Sequence, residues 1–281
     1  MYRYKQAERL EANTNFKLLY QYMGGTLNDY VIFLTAQSSR GPSSSFLPAA
    51  PGGGSRGGHS EADLLAAWSS AVSSLTADAG LLLDAAMSLG MHTPIALFAR
   101  AAIALSIGTP EECQRAVDLL AEVIEKNNEL TALEGQGVPV EDTISVENAY
   151  NQRALALMSL QRHEEAERHF MLAVEAQPLL WEAYINLASL YFEINRVGEA
   201  QEVLRAGAQA YARSVGGPLH LTFMIQLGFA EELLGHYRLA YEQYREGVSL
   251  VQEFRREGLQ YDVSHAVKLQ NNADNMLALL G

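Results

Sequence analysis

The stretch ENAYNQRALALMSLQRHEEAERHFMLAVEAQPLL (Glu147–Leu180) is followed at once by WEAYINLASLYFEINRVGEAQEVLRAGAQAYARS (Trp181–Ser214), two runs of thirty-four residues with matching residue types at matching offsets. Tyr150, Ala154, Leu157, Ala166, Phe170 and Ala173 of the first align with Tyr184, Ala188, Tyr191, Ala200, Leu204 and Gly207 of the second, and Pro178 closes the first. A third copy fits Leu221 to Gln252, with Gly228, Ala240, Tyr244 and Gly247 at the same places and Leu227 at the offset that Leu187 holds in the second. The apolar spacing within each copy is helical, and no stretch alternates with the period of a strand, so the chain reads as all-α. Small residues on both helices of a copy (Ala154 with Ala166, Ala188 with Ala200, Gly228 with Ala240) let the two backbones approach. The large ones (Tyr150, Phe170, Tyr184, Leu204, Tyr244) are left to fill the space between copies. One helix pair cannot bury its own apolar stripe, so such units must stack.

The pattern resembles the tetratricopeptide repeat, which carries Trp or Tyr, Leu-Gly, Tyr, Ala, Phe, Ala and Pro at these places. The resemblance is strongest over 147–213 and weak before 97. It implies a right-handed α-α superhelix whose concave face, built from the first helices, holds another polypeptide.

Outward from the clear copies, a weaker unit aligns on 63–96, with Ala71 at a small-residue site, a second helix from Asp78 to Leu89, and Pro94 at its end. Another covers 97–130, with Pro110 opening its second helix. An insertion spans roughly Asn127 to Thr143, and a break lies at Ser214–His220. A capping helix is expected over 262–280 with Asp262 as N-cap and one polar side, closing the last open core face. The organisation is thus an N-terminal helical extension (1–37), a flexible Ser/Gly/Pro-rich linker (38–60), and a solenoid (61–281) with units near 63–96, 97–130, 147–180, 181–214 and 221–254. The linker, SSRGPSSSFLPAAPGGGSRGGHS, is too poor in apolar residues to fold by itself.

Charge narrows the partner. The chain carries a net charge of −13. Residues 61–281 alone hold fourteen basic and thirty acidic side chains. Such a surface repels phosphate backbones and anionic lipid, which argues against nucleic acid. No apolar run reaches the roughly 18–20 residues of a membrane span, so no membrane insertion is expected. The single cysteine, Cys113, precludes an internal disulfide framework and fits a cytoplasmic location. With Glu111 and Glu112 beside it, it reads as a small core residue rather than a reactive thiol.

No catalytic constellation emerges, and neither a cofactor nor a metal is expected. His163 and Glu167 lie four apart on one helix, but no second pair accompanies them, so they read as a solvated face. There is no phosphate loop after a strand and no nucleophile elbow. Tyr237, Tyr241 and Tyr244 have helix spacing and read as core.

The resemblance places groove residues at fixed offsets in each unit. Carried onto this sequence, they are Asn148, Asn151, Gln152, Leu155, Met158 and Ser159; then Glu182, Ile185, Asn186, Ser189, Phe192 and Glu193; then Thr222, Ile225, Gln226, Phe229, Glu232 and Leu233. The sixth place therefore reads Gln152, Asn186, Gln226. An amide offers a donor and an acceptor together, and a ladder of them suits the backbone of an extended peptide. The alternative is that these amides serve the repeat scaffold itself, and the sequence leaves both open. None of these residues is basic and three are acidic, unlike the repeats that clamp the acidic tails of heat-shock chaperones. The earlier units line the groove with an apolar trough that includes Trp68, Val72, Phe98 and Leu105. Residues 1–37, or an amphipathic helix from a partner, would fill it. The expected partner is a protein presenting a neutral or basic extended peptide or an amphipathic helix. The leading function is a non-enzymatic adaptor, with a constitutive structural subunit of a larger complex as the alternative.

Overall fold

Residues 61–90, 92–134, 144–214 and 220–281 are described by the structure, a computed structural model. The expected extension (1–37) and linker (38–60) lie outside these residues. Among the described residues every regular element is a helix, and the chain divides into two compact units, one ending at Ile144 and the other beginning at Ser145.

The first unit contains α1 (Glu61–Ser88), α2 (Pro94–Ile107) and α3 (Pro110–Glu134), with α2 packed against both of its neighbours. Here the structure departs from the expected unit at 63–96. Residues 61–88 form one continuous helix of 28 residues instead of two helices and a turn. The physical reason lies in the run Ser69–Ala77. It holds small residues at plausible seam positions but neither Gly nor Pro, so nothing stops propagation. The next boundaries follow the sequence. Thr93 caps α2 by accepting from the Ala96 amide, Pro94 opens that helix, and Gly108 ends it at φ 73°. Pro110 opens α3, as anticipated. This helix runs to Glu134, into the expected insertion. Asn127, buried on α3, donates its side-chain N–H to the Ile144 carbonyl and accepts from the Ile144 amide. Cys113 is a buried core residue.

The first unit buries a charge, Arg100 of α2, which is only 3% exposed. A buried guanidinium must be paired, and it is: Arg100 Nε reaches Asp84 at 2.8 Å and Nη1 reaches Glu112 at 2.8 Å. Arg115 also binds Asp84, at 2.6 Å. The Arg100 hydrogen bond holds the Glu112 carboxyl below its usual range.

The second unit stacks α4 (Val146–Ser159), α5 (His163–Ala176), α6 (Trp181–Glu193), α7 (Val197–Ser214), α8 (His220–Leu233), α9 (Tyr237–Glu257) and α10 (Val263–Leu280). Each helix packs on the next, and in addition α4 contacts α6 and α8 contacts α10. The three helix pairs α4–α5, α6–α7 and α8–α9 turn in the same way. The residue at the turn is left-handed in each: Gln161 (φ 61°), Asn195 (φ 60°) and Gly235 (φ 76°). The amide after it reaches back to the first helix, from Arg162 to Leu157 O (2.9 Å), Arg196 to Tyr191 O (2.7 Å) and His236 to Glu231 O (2.8 Å). This is the Schellman closure, repeated three times at one offset.

The seams are as tight as the small residues suggest. Ala154, Ala166, Ala188, Ala200 and Ala240 are fully buried, as are the large side chains Phe170, Leu204 and Tyr244. Tyr244, the largest of the three, packs against the backbone of Gly228. A Cβ on Gly228 would stand 2.3 Å from the Tyr244 ring. Of the tyrosine stripe only Tyr244 is core; Tyr241 is half-buried and Tyr237 is exposed.

The last helix closes the stack. Asp262 caps it by accepting from the Ser264 amide at 2.8 Å, and Leu269, Ala273 and Met276 are buried. Leu269 occupies the space beside Gly247. Its outward side is not uniformly polar: Lys268, Gln270, Asn271 and Asp274 are exposed, but so are Val263 and Val267.

Candidate protein-binding face

The first helices α4, α6 and α8 carry the residues expected to line a groove. The structure joins them across units. Asn186 Nδ2 of α6 donates to Asn151 Oδ1 of α4 at 3.1 Å. Asn151 is 5% exposed, so its side chain is spent on this link and has no face for a partner. Asn186 itself is half-buried and keeps its carbonyl oxygen and a second N–H. Gln152 and Gln226, at the same offset on α4 and α8, are also half-buried. The three amides thus stand partly open to solvent on successive first helices.

Around them, Leu155, Glu182 and Ile185 are half-buried and Asn148 is exposed, bonded to the Ser145 hydroxyl. Ser189 is half-buried with its hydroxyl donated to the Ile185 carbonyl at 2.9 Å. Ile225, expected in the groove, is 4% exposed and belongs to the core. Phe229 is 41% exposed and meets Phe192 of α6 edge to face, with ring centroids 5.3 Å apart. Glu232 accepts a hydrogen bond from the Tyr244 hydroxyl, whose pKa is raised by burial and by that bond. In the first unit, Phe98 and Leu105 are half-buried on α2. The side chains of Trp68 and Val72, also expected in the trough, lie outside those described.

Behind this face a polar ladder ties unit to unit. Glu167 of α5 accepts from the Tyr191 hydroxyl and from Arg196 Nη1, both at 2.8 Å. Arg196 also pairs with Glu199 and lies 4.7 Å from the Tyr191 ring centroid. Burial, then the bond to Glu167, pushes the Tyr191 phenol up to about 12. One unit later, Gln201 of α7 holds the same offset as Glu167, and it donates to the buried Glu231. Arg205 and His236 complete the partners of that carboxylate, at 3.3 and 3.0 Å. These polar groups bond to one another across successive helix pairs. Among the described residues no group of His, Cys, Asp and Glu is placed to hold a metal ion.

One feature of the second unit was not anticipated. An open cleft of about 510 Å³ lies where α7 begins and α8 ends, lined by Asn195, Arg196, Gly198, Glu199, Glu202, Leu233 and Leu234. Two adjacent leucines, 50% and 39% exposed, form one side of it directly before the turn glycine Gly235.

The tetratricopeptide-repeat family profile matches residues 147–178 and 182–212. No curated protein matches the sequence. Similar solved structures include a MamA protein, with a TM-score of 0.50 and 14% identity over 66% of this chain and 87% of that one. A variant of a putative kinesin light chain with tetratricopeptide-like repeats, from Podosopora anserina, has a TM-score of 0.50 and 20% identity over 65% of this chain and 90% of that one. The apo form of RapI has a TM-score of 0.51 and 13% identity over 77% of this chain and 62% of that one. At such identities the likeness concerns the fold, an α-α solenoid. Among the described residues no helix is long and apolar enough to cross a membrane.

Proposed function

We propose, from the premise that this chain belongs to the tetratricopeptide-repeat family, that it is a non-enzymatic cytoplasmic adaptor holding a partner polypeptide against α4, α6 and α8. The observation that carries this reading is the row of half-open amides, Gln152, Asn186 and Gln226, on three successive first helices. Side-chain amides bond a peptide backbone without demanding a particular sequence. Asn186 is also oriented in advance by Asn151, which lowers the cost of ordering it on binding. The partner is a neutral or basic segment, because this face offers Glu182, Glu193 and Glu232 and no cation.

A chemical-crosslinking pull-down with the intact chain tests the proposal. Partners recovered with the unaltered chain are lost when Asn186→Ala and Gln226→Ala are combined; equal recovery of every partner contradicts it.

A constitutive structural subunit is the second reading. Met171 and Leu172 on α5 and Leu239 on α9 favour it, being 46%, 39% and 47% exposed on second helices, away from the amide row.

A further inference from the structure

An apolar strip continues along α8 past the amides. Phe229 is 41% exposed and Leu233 is 50% exposed. Four residues apart on a helix, they stand on one side. Phe192 braces Phe229 edge-on from α6. Leu233 and Leu234 then wall the cleft at the start of α7. The rim of this strip is acidic. Glu193, exposed, directly follows Phe192, and Glu202, also exposed, lines the cleft. The cation among the lining residues, Arg196, is already engaged by Glu167 and Glu199. Exposed carboxylates on α6 and α7 therefore accompany the apolar strip.

We infer that this strip is an anchor site for a basic peptide segment. One large apolar side chain of the partner seats on Phe229 and Leu233, and flanking Lys or Arg side chains reach Glu193 and Glu202. The inference rests on the groove reading above and deepens it by naming the chemistry of the partner. Charge complementarity selects this occupant. The chain carries −13, so a second copy or an acidic tail meets repulsion where a basic segment is attracted. A desolvated aromatic or aliphatic anchor inside a polar rim is also how peptide interfaces concentrate their affinity.

The test selects phage-displayed random dodecapeptides on the intact chain, then titrates the enriched peptides as fluorescent synthetic probes. Enriched peptides combine a Phe, Trp or Leu with neighbouring Lys or Arg. Their affinity falls about tenfold or more with Phe229→Ser or with Leu233→Ser, a loss typical of a truncated anchor. It also falls with Glu193→Lys combined with Glu202→Lys, and with added salt. The substituted side chains are exposed, and an unchanged melting curve for each variant establishes that the fold is kept. Peptides weakened by Asn186→Ala with Gln226→Ala, but indifferent to Phe229→Ser and Leu233→Ser, overturn the anchor and leave the groove reading standing. Enrichment of acidic peptides also overturns the anchor. Peptides indifferent to both sets, or no enrichment at all, overturn the anchor and the groove reading together.

Discussion

Asn186 on α6 donates a 3.1 Å hydrogen bond to Asn151 on α4, joining two residues thirty-five positions apart in sequence. The bond makes one amide structural and leaves its neighbour oriented and half-open. Its removal therefore has two readouts. Asn151→Ala costs about 0.5–1.5 kcal/mol of stability, the usual net worth of one hydrogen bond. It also weakens partner binding, although Asn151 is nearly inaccessible to a partner. A double-mutant cycle with Asn186→Ala, followed by denaturant unfolding, measures the coupling. A coupling near zero means that the bond does not stabilise the stack.

The Gly228–Tyr244 seam makes a sharper claim about packing. A Cβ on Gly228 would fall 2.3 Å from the ring, so Gly228→Ala destabilises by about 1–3 kcal/mol or more. One unit earlier Leu204 packs at the offset of Tyr244 and Ala188 at that of Gly228, both fully buried. Tyr244→Leu should then rescue Gly228→Ala. Urea midpoints should place the double variant above the sum of the two singles by about 1 kcal/mol or more.

The turn residues form a graded series. Gln161 and Asn195 hold the left-handed backbone that Gly235 holds without steric cost. Gln161→Gly should stabilise by about 0.5–1 kcal/mol, and Asn195→Gly by less, because Asn tolerates this conformation better than Gln. Thermal melts of the two variants rank the effects; destabilisation by Gln161→Gly would contradict this account of the turn.

The Arg100 cluster gives the first unit a pH dependence. Its hydrogen bond lowers the Glu112 carboxyl from an ordinary value of 4.5. A depressed carboxyl stabilises the fold fully above its unfolded value, and that contribution disappears as pH falls through the folded value. Stability from this group is thus present above about pH 5 and is lost on acidification below about pH 4.5. Glu112→Gln should destabilise at pH 7 by about 1–3 kcal/mol, since Asp84 still partners the buried Arg100. The gap between variant and unaltered chain should narrow at pH 3.5. Denaturant titrations at the two pH values check both statements.

The repeats from Glu147 onward were legible because their seams depend on residue size, and size is written directly in Ala154, Ala188, Gly228 and their partners. The final helix was legible for a similar reason: Asp262 is a local cap signal. The region before residue 97 misled, because Ala71 and Pro94 mimic unit landmarks while Ser69–Ala77 lacks anything that would end a helix. Offsets alone also placed Asn151 and Ile225 in the groove. Their burial depends on what packs beside them, Asn186 in one case and the surrounding core in the other, and no single unit encodes its neighbour. The cleft beside Leu233 and Leu234 was hidden for the same reason, since α7 supplies half of its wall.

The central claim is that a partner lies on the first helices. Photo-crosslinking amino acids placed singly at Gln152, Asn186 or Gln226, and for comparison at Met171 or Leu172, test it in the intact chain. The account predicts partner adducts from the first three positions and none from the last two. Adducts confined to Met171 and Leu172 would contradict it and favour a subunit held by its second helices.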